Sequence, residues 1–496
     1  MSWYDEFDLF DAYSWGQIED GNEVQDENVV DWDGPDDPAN PLNWSAGRKW
    51  ANIITFSTIT MISTLASSMF APGIPQVMSE FKSTNSLLSS FVVSVFILGY
   101  VFGPLIIGPC TELYGRLYVY HISHILFTIF TIGCAYAPSL STLIIFRFLA
   151  GVTGSTPITI GGSSVADMFI PLERGRAMSV WSMGPLIGPV IGPIGGGFLT
   201  AAKGWRSVFW TLSILMASST LISFFVFRES YAPTLLARKA AHLRLSTSNP
   251  LLKSKYEVAT SVPRTTVLTR AIVRPMKMLL FSPIVLVLSA YMALVYGYLY
   301  LLFTNLTDVF QTIYHFPTSL VGLTYLGLGI GMVGGIAAYG SLSDKMTSSL
   351  ASKAKGADGL PKPKPEHRLP PIFLGAASIP IGLLIYGWTA EQKVFWLVPI
   401  LSTVFIGLGL ILTFMPVMMY LVEAYGIYAA SATAANTVFR SLGGTFLPLA
   451  GKPLYDALGQ GWGNSLLAGL ALMGLPVSWA IIKYGEAIRL RWHVKL

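Results

Sequence analysis

Two arginines and a run of glycine and proline are the residues whose types and spacing stand out against an apolar background. Arg147, in Phe146-Arg147-Phe-Leu-Ala-Gly151-Val-Thr-Gly154, and Arg440 each sit inside a long apolar stretch. A cation there costs about 2.5–3.5 kcal/mol unless it meets water or a partner, so each is a candidate for function or for a structural hydrogen-bonding role. In Gly184-Pro-Leu-Ile-Gly188-Pro-Val-Ile-Gly192-Pro-Ile-Gly-Gly-Gly197, glycine recurs every fourth residue and lines one helix face. Pro185, Pro189 and Pro193 each remove a backbone donor, which kinks the helix. In lipid such a helix persists where neighbours or water satisfy the freed carbonyls, which places it inside a bundle. Ordinary small-residue packing would need the glycines but not the prolines.

Other titratable residues lie at the ends of apolar stretches. Glu112, Gly115 and Arg116 form one charged turn, and Asp167, Glu173, Arg174 and Arg176 another, although solvated loops look similar. Glu423 falls near the end of an apolar stretch, and His121 and His124 share one helix face in an interfacial position. No carboxylate falls at mid-depth, which leaves a proton path undefined and disfavours a polyamine, since a polycation needs a buried counter-charge. Tyr291, Tyr296, Tyr298 and Tyr300, with Met415, Met418 and Met419, suit an adaptable pocket for apolar ligands, or plain packing.

These residues are positioned by twelve apolar stretches, at 50–70, 88–108, 118–137, 141–163, 178–200, 207–227, 281–303, 319–341, 370–389, 394–416, 431–450 and 465–485. Each has the roughly 20 residues a helix needs to cross a ~30 Å hydrocarbon core. The composition, 52% hydrophobic and 12% charged, fits an all-α integral membrane protein. Twenty-five of the 32 Lys and Arg residues fall on one side of the implied membrane and five on the other, which puts both termini in the cytoplasm. The basic residues flank helix ends beside anionic lipid and form no nucleic-acid patch. Cys110 and Cys134 fall at opposite ends of their spans, out of reach of each other. The sequons at Asn43 and Asn305 are expected to stay unglycosylated.

The expected organisation is a disordered acidic cytoplasmic tail (1–49, with thirteen Asp and Glu), a six-helix bundle (50–227), a basic cytoplasmic loop (228–280), a second six-helix bundle (281–485) and a short cytoplasmic tail (486–496). Within the central loop, Pro233 to Leu245 suits an amphipathic helix on the inner leaflet, with Leu235, Leu236 and Leu243 down and Arg238, Lys239 and Arg244 up. An even number of spans makes the halves parallel repeats. Gly108-Pro-Cys-Thr-Glu112-Leu-Tyr-Gly115-Arg116 is echoed by Gly340-Ser-Leu-Ser-Asp344-Lys345, and Gly204-Trp205 by Gly461-Trp462. A covalently linked ATPase is disfavoured, since no Gly-x-x-x-x-Gly-Lys-Ser/Thr loop occurs. A membrane enzyme would need clustered intramembrane His, Asp or Glu, and a channel a filter repeat. A transporter-like receptor stays open.

Over nearly everything after residue 31 the chain resembles the major facilitator superfamily, and within it the twelve-span drug:proton antiporters of fungi. The resemblance is carried by Asp31-Trp-Asp-Gly-Pro-Asp-Asp-Pro-Ala-Asn-Pro-Leu-Asn-Trp44, Glu229-Ser-Tyr-Ala-Pro233, Pro365-Glu-His-Arg-Leu-Pro370 and Tyr425-Gly-Ile-Tyr-Ala-Ala-Ser-Ala432. It implies that the Gly-Pro run is the exporter motif of span 5, packed on span 8 between the halves. It implies that Arg147 takes part in proton coupling, with Glu423 and Arg440 as further candidates. Gly108, Glu112, Gly115, Arg116, Asp167, Arg174 and Asp344 would form the inner gate. Glu112 replaces the commoner Asp there, and Leu117 a second basic residue. Tyr291, Tyr296, Tyr300 and Met415 are the substrate-cavity candidates. The function implied is proton-coupled export of small apolar organic compounds by alternating access, with uptake or polyamine transport as alternatives. The partners would be a small-molecule substrate, protons and membrane lipid, with no cofactor, no metal and no nucleic acid. The expected setting is a monomer in the plasma membrane, with the vacuolar membrane less favoured.

Overall fold

The computed structural model describes residues 28–256, 264–353 and 364–492. The rest of the N-terminal tail, residues 257–263 with Glu257, residues 354–363 and residues 493–496 lie outside the described residues. A lipid-facing backbone must satisfy its own polar groups, and the apolar stretches are accordingly helical. In the first half they are α1 (Ala46–Ser68) with its short extension α2 (Ile74–Glu80), α3 (Ser86–Tyr114) and α4 (Arg116–Ala135). The paired α5 (Leu140–Gly154) and α6 (Thr156–Met168), then α7 (Pro171–Lys203) and α8 (Arg206–Val226), complete it. Two connecting helices follow, α9 (Ala232–Thr247) and α10 (Arg264–Phe281). The second half holds α11 (Pro283–Thr312), α12 (Thr318–Val321) leading into α13 (Leu326–Lys353), α14 (Pro371–Glu391), α15 (Leu397–Tyr425), α16 (Ala429–Leu472) and α17 (Gly474–Arg491).

Among the described residues, eleven helical stretches are long and apolar enough to cross a membrane, and the last runs over 61 residues. That last stretch is two arms. Gly459 adopts φ 74° and ψ 173°, which breaks the helix. Gly443 packs on Ala293 and Gly451 on Leu301, so this arm runs with α11. Beyond the break, Leu467 meets Tyr298 and Gly474 meets Tyr291, so that arm runs against it. The expected eleventh and twelfth spans are these arms.

The halves repeat in their contacts. Gly99 and Gly103 of α3 pack on residues 151–155, as Gly327 and Gly331 of α13 pack on residues 400–404 of α15. The α7 glycines pack on α1, as Gly443 packs on α11. Three reversals share one backbone shape, with φ and ψ near 80° and 170° at Gly115, Gly204 and Gly459. In each, a distant side chain accepts from the next residue's N–H: Glu229 from Arg116 at 3.0 Å, Gln76 from Trp205 at 3.1 Å and Glu391 from Gln460 at 2.6 Å. These caps satisfy the free N–H groups of a helix start. The structural counterpart of Gly204 is therefore Gly459, where the sequence echo pointed to Gly461.

Two expectations change. Residues 28–49 are not a loose tail. Val29–Val30 (β1) pairs in parallel with Lys253–Ser254 (β2), Lys255 binds Asp31 at 2.8 Å, and Lys239 binds Asp33 at 2.6 Å. Asp37 accepts the N–H groups of Asp33 and Ala39 at 2.9 and 2.8 Å, and Lys49 donates to the Leu42 carbonyl at 2.7 Å. Among the acidic residues that suggested disorder, Asp31, Asp33 and Asp37 find lysines of the central loop instead. For the same reason α9 docks on protein: Leu236 and Ala240 are fully buried, and Arg238 lies over Tyr118 at 5.3 Å.

Candidate functional site

The Gly-Pro helix α7 is held by α1. A Cβ on Gly184, Gly188 or Gly192 would fall 2.2–2.4 Å from Ser57, Thr64 or Ser68 atoms, so backbone meets backbone along this face. Each proline frees the carbonyl four residues earlier, and α1 supplies hydroxyls. Ser57 Oγ donates to the carbonyls of Val180 at 3.0 Å and Trp181 at 3.4 Å, beside the bond lost at Pro185. Ser68 Oγ donates to Pro189 at 3.2 Å, replacing the bond lost at Pro193. The glycine face thus packs on the first span. The partner of α12 and α13 is the opposite face, through Val190, Pro193, Ile194 and Gly197.

Arg147 is 1% exposed and meets no carboxylate among the described residues. Its Nε donates to the Val92 carbonyl at 2.6 Å and its Nη2 to Val93 at 3.2 Å, both on α3. Phe70, Phe96 and Phe209 surround the guanidinium at 5.0, 5.4 and 5.8 Å. Carbonyl dipoles and ring faces stand in for a counter-ion. Arg147 is therefore a brace between α5 and α3.

Arg440 meets the same problem without the same answer. It is 7% exposed, lies over Tyr296 at 4.9 Å and Phe414 at 5.1 Å, and its Nε has no hydrogen-bond partner among the described residues. One turn earlier on α16, Asn436 is fully buried; its Nδ2 donates to the Met418 sulfur at 3.3 Å and its Oδ1 is unpartnered. From the other half, Tyr100 bonds Ser63 at 3.0 Å and lies within electrostatic reach of Arg440. Ser63 donates in turn to the Gly154 carbonyl. Tyr300 donates to Ser67 at 2.9 Å, across the two halves, and packs on Tyr296 at 5.2 Å. Of the substrate-cavity candidates, Tyr296 and Tyr300 stand in this group. Met415 is half-buried on α15, and Tyr291 faces Gly474 elsewhere in the bundle.

The gate candidates lie at the end that carries the basic loops. Arg116 pairs with Asp167 and lies over Tyr231 at 4.9 Å. Ser230 Oγ donates to Asp167 at 3.4 Å, and burial pushes the Tyr231 phenol well above its ordinary range. Glu229 caps α4 through the N–H groups of Arg116 and Leu117. Arg174 donates to the Phe169 and Ala166 carbonyls at 2.9 and 3.1 Å, closing the end of α6. Glu112 is exposed and makes no hydrogen bond among the described residues, although Arg116 and Arg274 lie within its electrostatic reach, and a Cβ on Gly108 would meet nothing within 4 Å. Glu423, a proton-coupling candidate, binds Arg368 at 2.9 Å at a helix end. This pair is the second-half counterpart of Arg116–Asp167. The Asp344 side chain lies outside the described residues. His124 is buried, while His121 stacks on Phe224 at 4.1 Å.

Between the halves, contact is tight at the end opposite the basic loops. A Cβ on Gly322 would lie 2.4 Å from the Pro193 carbonyl oxygen, and one on Gly329 2.2 Å from Val190. Toward the basic end, a Cβ on Gly340 of α13 would meet nothing within 4 Å among the described residues, and Met183 of α7 and Val333 of α13 are 52% and 61% exposed. The α7/α13 seam is shut at one end and parted at the other.

A sequence profile described as Major Facilitator Superfamily matches residues 56–448. The chain belongs to the major facilitator superfamily. Two of its similar relatives are fungal. "MFS-type transporter penM" of Penicillium rubens is 53% identical over 94% of this chain and 90% of its own length. "Efflux pump radE" of Floropilus chiversii is 47% identical over 96% and 87%. Among solved structures, the xylose transporter XylE of E. coli, in a partially occluded inward open conformation, aligns at TM-score 0.65 and 14% identity over 88% of this chain and 98% of its own. The fold is that of the superfamily, and the chain is a multi-pass membrane transporter of small molecules, not an enzyme.

Within this superfamily fold, sequence reading missed Ser57 and Ser68 as partners of the prolines, and Tyr100, Phe414 and Asn436 as companions of Arg440. The signal was available for Asn436 alone: one helical turn from Arg440, it shares its face.

Proposed function

We propose that the chain is a proton-coupled exporter of small, mostly apolar organic molecules, in the plasma membrane with both termini cytoplasmic. The observation that carries this reading is the asymmetric seam. Along the α7/α13 seam the halves meet through Gly322 and Gly329 at one end and stand apart at the basic end, which by the positive-inside rule faces the cytoplasm. A substrate would enter there, reach the aromatic group around Arg440, and leave when the halves rock the other way. The name "Efflux pump radE" of a relative supports the direction. For coupling, Asp167 and Glu423 each hold an arginine at the inner end. A proton on either carboxylate would release that arginine and loosen the helix packing of its own half at the inner end. Arg147, whose donors are already engaged, would transmit the motion between α3 and α5.

The test is growth of a pump-deficient fungal host expressing the chain on a panel of toxic aromatic compounds, with and without a protonophore. Lower compound accumulation that the protonophore abolishes is expected. Accumulation unchanged by expression for every compound would overturn export, and protection indifferent to the protonophore would overturn coupling.

A further inference from the structure

We propose that the site around Arg440 selects an organic anion: a flat aromatic molecule carrying an ionised carboxyl or acidic phenol group. This deepens the export reading and rests on it for the path by which such a molecule arrives.

The inference starts from two arginines in one setting. Among the described residues, no Asp or Glu pairs with Arg147 or with Arg440. Arg147 is satisfied by two carbonyls and three rings. Arg440 makes no hydrogen bond to the described residues, its Nε is buried and unpartnered, and a turn away Asn436 Oδ1 is buried and unpartnered too. A guanidinium presents its N–H groups as a planar fork matched to a carboxylate, and leaving such donors unmet in a buried place is costly. An anionic ligand would meet them, and Asn436 Oδ1 would accept from a ligand hydroxyl.

The neighbours describe the rest of the molecule. Arg440 lies over the rings of both Tyr296 and Phe414, Tyr300 packs on Tyr296, and Met418 adds a deformable edge. Aromatic faces accept a flat conjugated ring by offset or edge stacking. Gly444 lies under Tyr296, Tyr300 and Ile97, where a Cβ would fall 3.0–3.3 Å from each, so bare backbone lines that side. Cations would be repelled by Arg440 with no acid to offset it. The group lies about 16 Å from the start of α16 at 1.5 Å per residue, and residues of both halves surround it.

The test uses the full chain in detergent micelles at pH 7.5, with 2-naphthoate and 2-naphthamide as probes that share a ring system and differ in charge. Binding is read by quenching of intrinsic fluorescence. Naphthoate is expected to bind about tenfold more tightly than the amide. Arg440→Gln should erase that preference while leaving amide binding within about twofold, and Arg440→Lys should narrow it, because an ammonium lacks the planar fork. Tyr296→Leu should weaken both probes alike. Arg238→Gln, a surface change on α9, should alter nothing. Equal affinity for the two probes, a preference that survives Arg440→Gln in protein eluting as a single species, or no binding of either probe would overturn the proposal. If Arg440→Gln does not fold, an unchanged preference in Arg440→Lys overturns it. Binding here needs no gradient, so failure of proton-coupled export leaves this result standing. Export of neutral compounds without anion preference would sink this inference alone.

Discussion

At the scale of single residues, the position of a buried charge was legible and its partner was not. The cost of burying Arg147 and Arg440 marks both in the sequence, yet nothing in spacing tells that one reaches two valine carbonyls on α3 while the other lies over Tyr296 and Phe414. Those partners come from helices about 25 to 145 residues away, and backbone acceptors leave no mark in sequence. Arg147→Ala removes both hydrogen bonds and empties the space among Phe70, Phe96 and Phe209; it should destabilise the protein by about 3 kcal/mol or more. Arg147→Lys should recover only part of this, because an ammonium cannot span both carbonyls as a planar fork does. Thermal unfolding in detergent reads both, and an Arg147→Ala midpoint equal to that of the parent would remove the brace. Glu423 was legible as an acid near a helix end, but its pairing with Arg368, which arrives from the far side of the α13–α14 connection, was not.

At the scale of elements, helix existence followed from apolar length and the repeat from glycine spacing, while contacts set by bare backbone needed the structure. The α7 run illustrates this, since a four-residue glycine period fixes that a face is bare but not which helix covers it. Adjacent glycines respond differently. A Cβ on Gly196 would fall 1.8 Å from the Met69 carbonyl oxygen, whereas one on Gly195 finds only the flexible Met69 Cε at 3.6 Å. Gly196→Ala should cost about 1–3 kcal/mol and Gly195→Ala about 0.5 kcal/mol or less, a contrast read by melting temperature side by side. The N-terminal segment gives a pH dependence. The N–H groups of Asp33 and Ala39, then Lys239, hold the Asp37 carboxyl below the usual carboxylate range, burial opposing them. A pKa lower in the folded than in the free segment means the stabilisation is complete above about 3.9 and is lost as pH falls through the lower folded value. Hydrogen exchange of residues 28–45 should therefore rise in that acid window, and in Asp37→Ala the acid response should vanish.

At the scale of the molecule, two parallel halves were legible from span parity, and their conformation was not, because sequence carries no record of which end of a seam is shut. The closed end depends on Gly322, whose missing side chain lets the Pro193 carbonyl approach. Gly322→Leu should hold that end apart, so a cysteine placed at Val190 should gain reactivity toward a membrane-impermeant maleimide while transport falls at least tenfold and the folded fraction holds. Unchanged labelling would mean that the contact does not set the closure. The capped glycine reversals bear on synthesis. The turns at Gly204 and Gly459 are capped by Gln76 and Glu391, which have already left the ribosome when those turns emerge. At Gly115 the order is reversed: Glu229 lies 113 residues downstream of Arg116. The α3–α4 hairpin must wait, with its helix start unsealed, until the whole first bundle has been made.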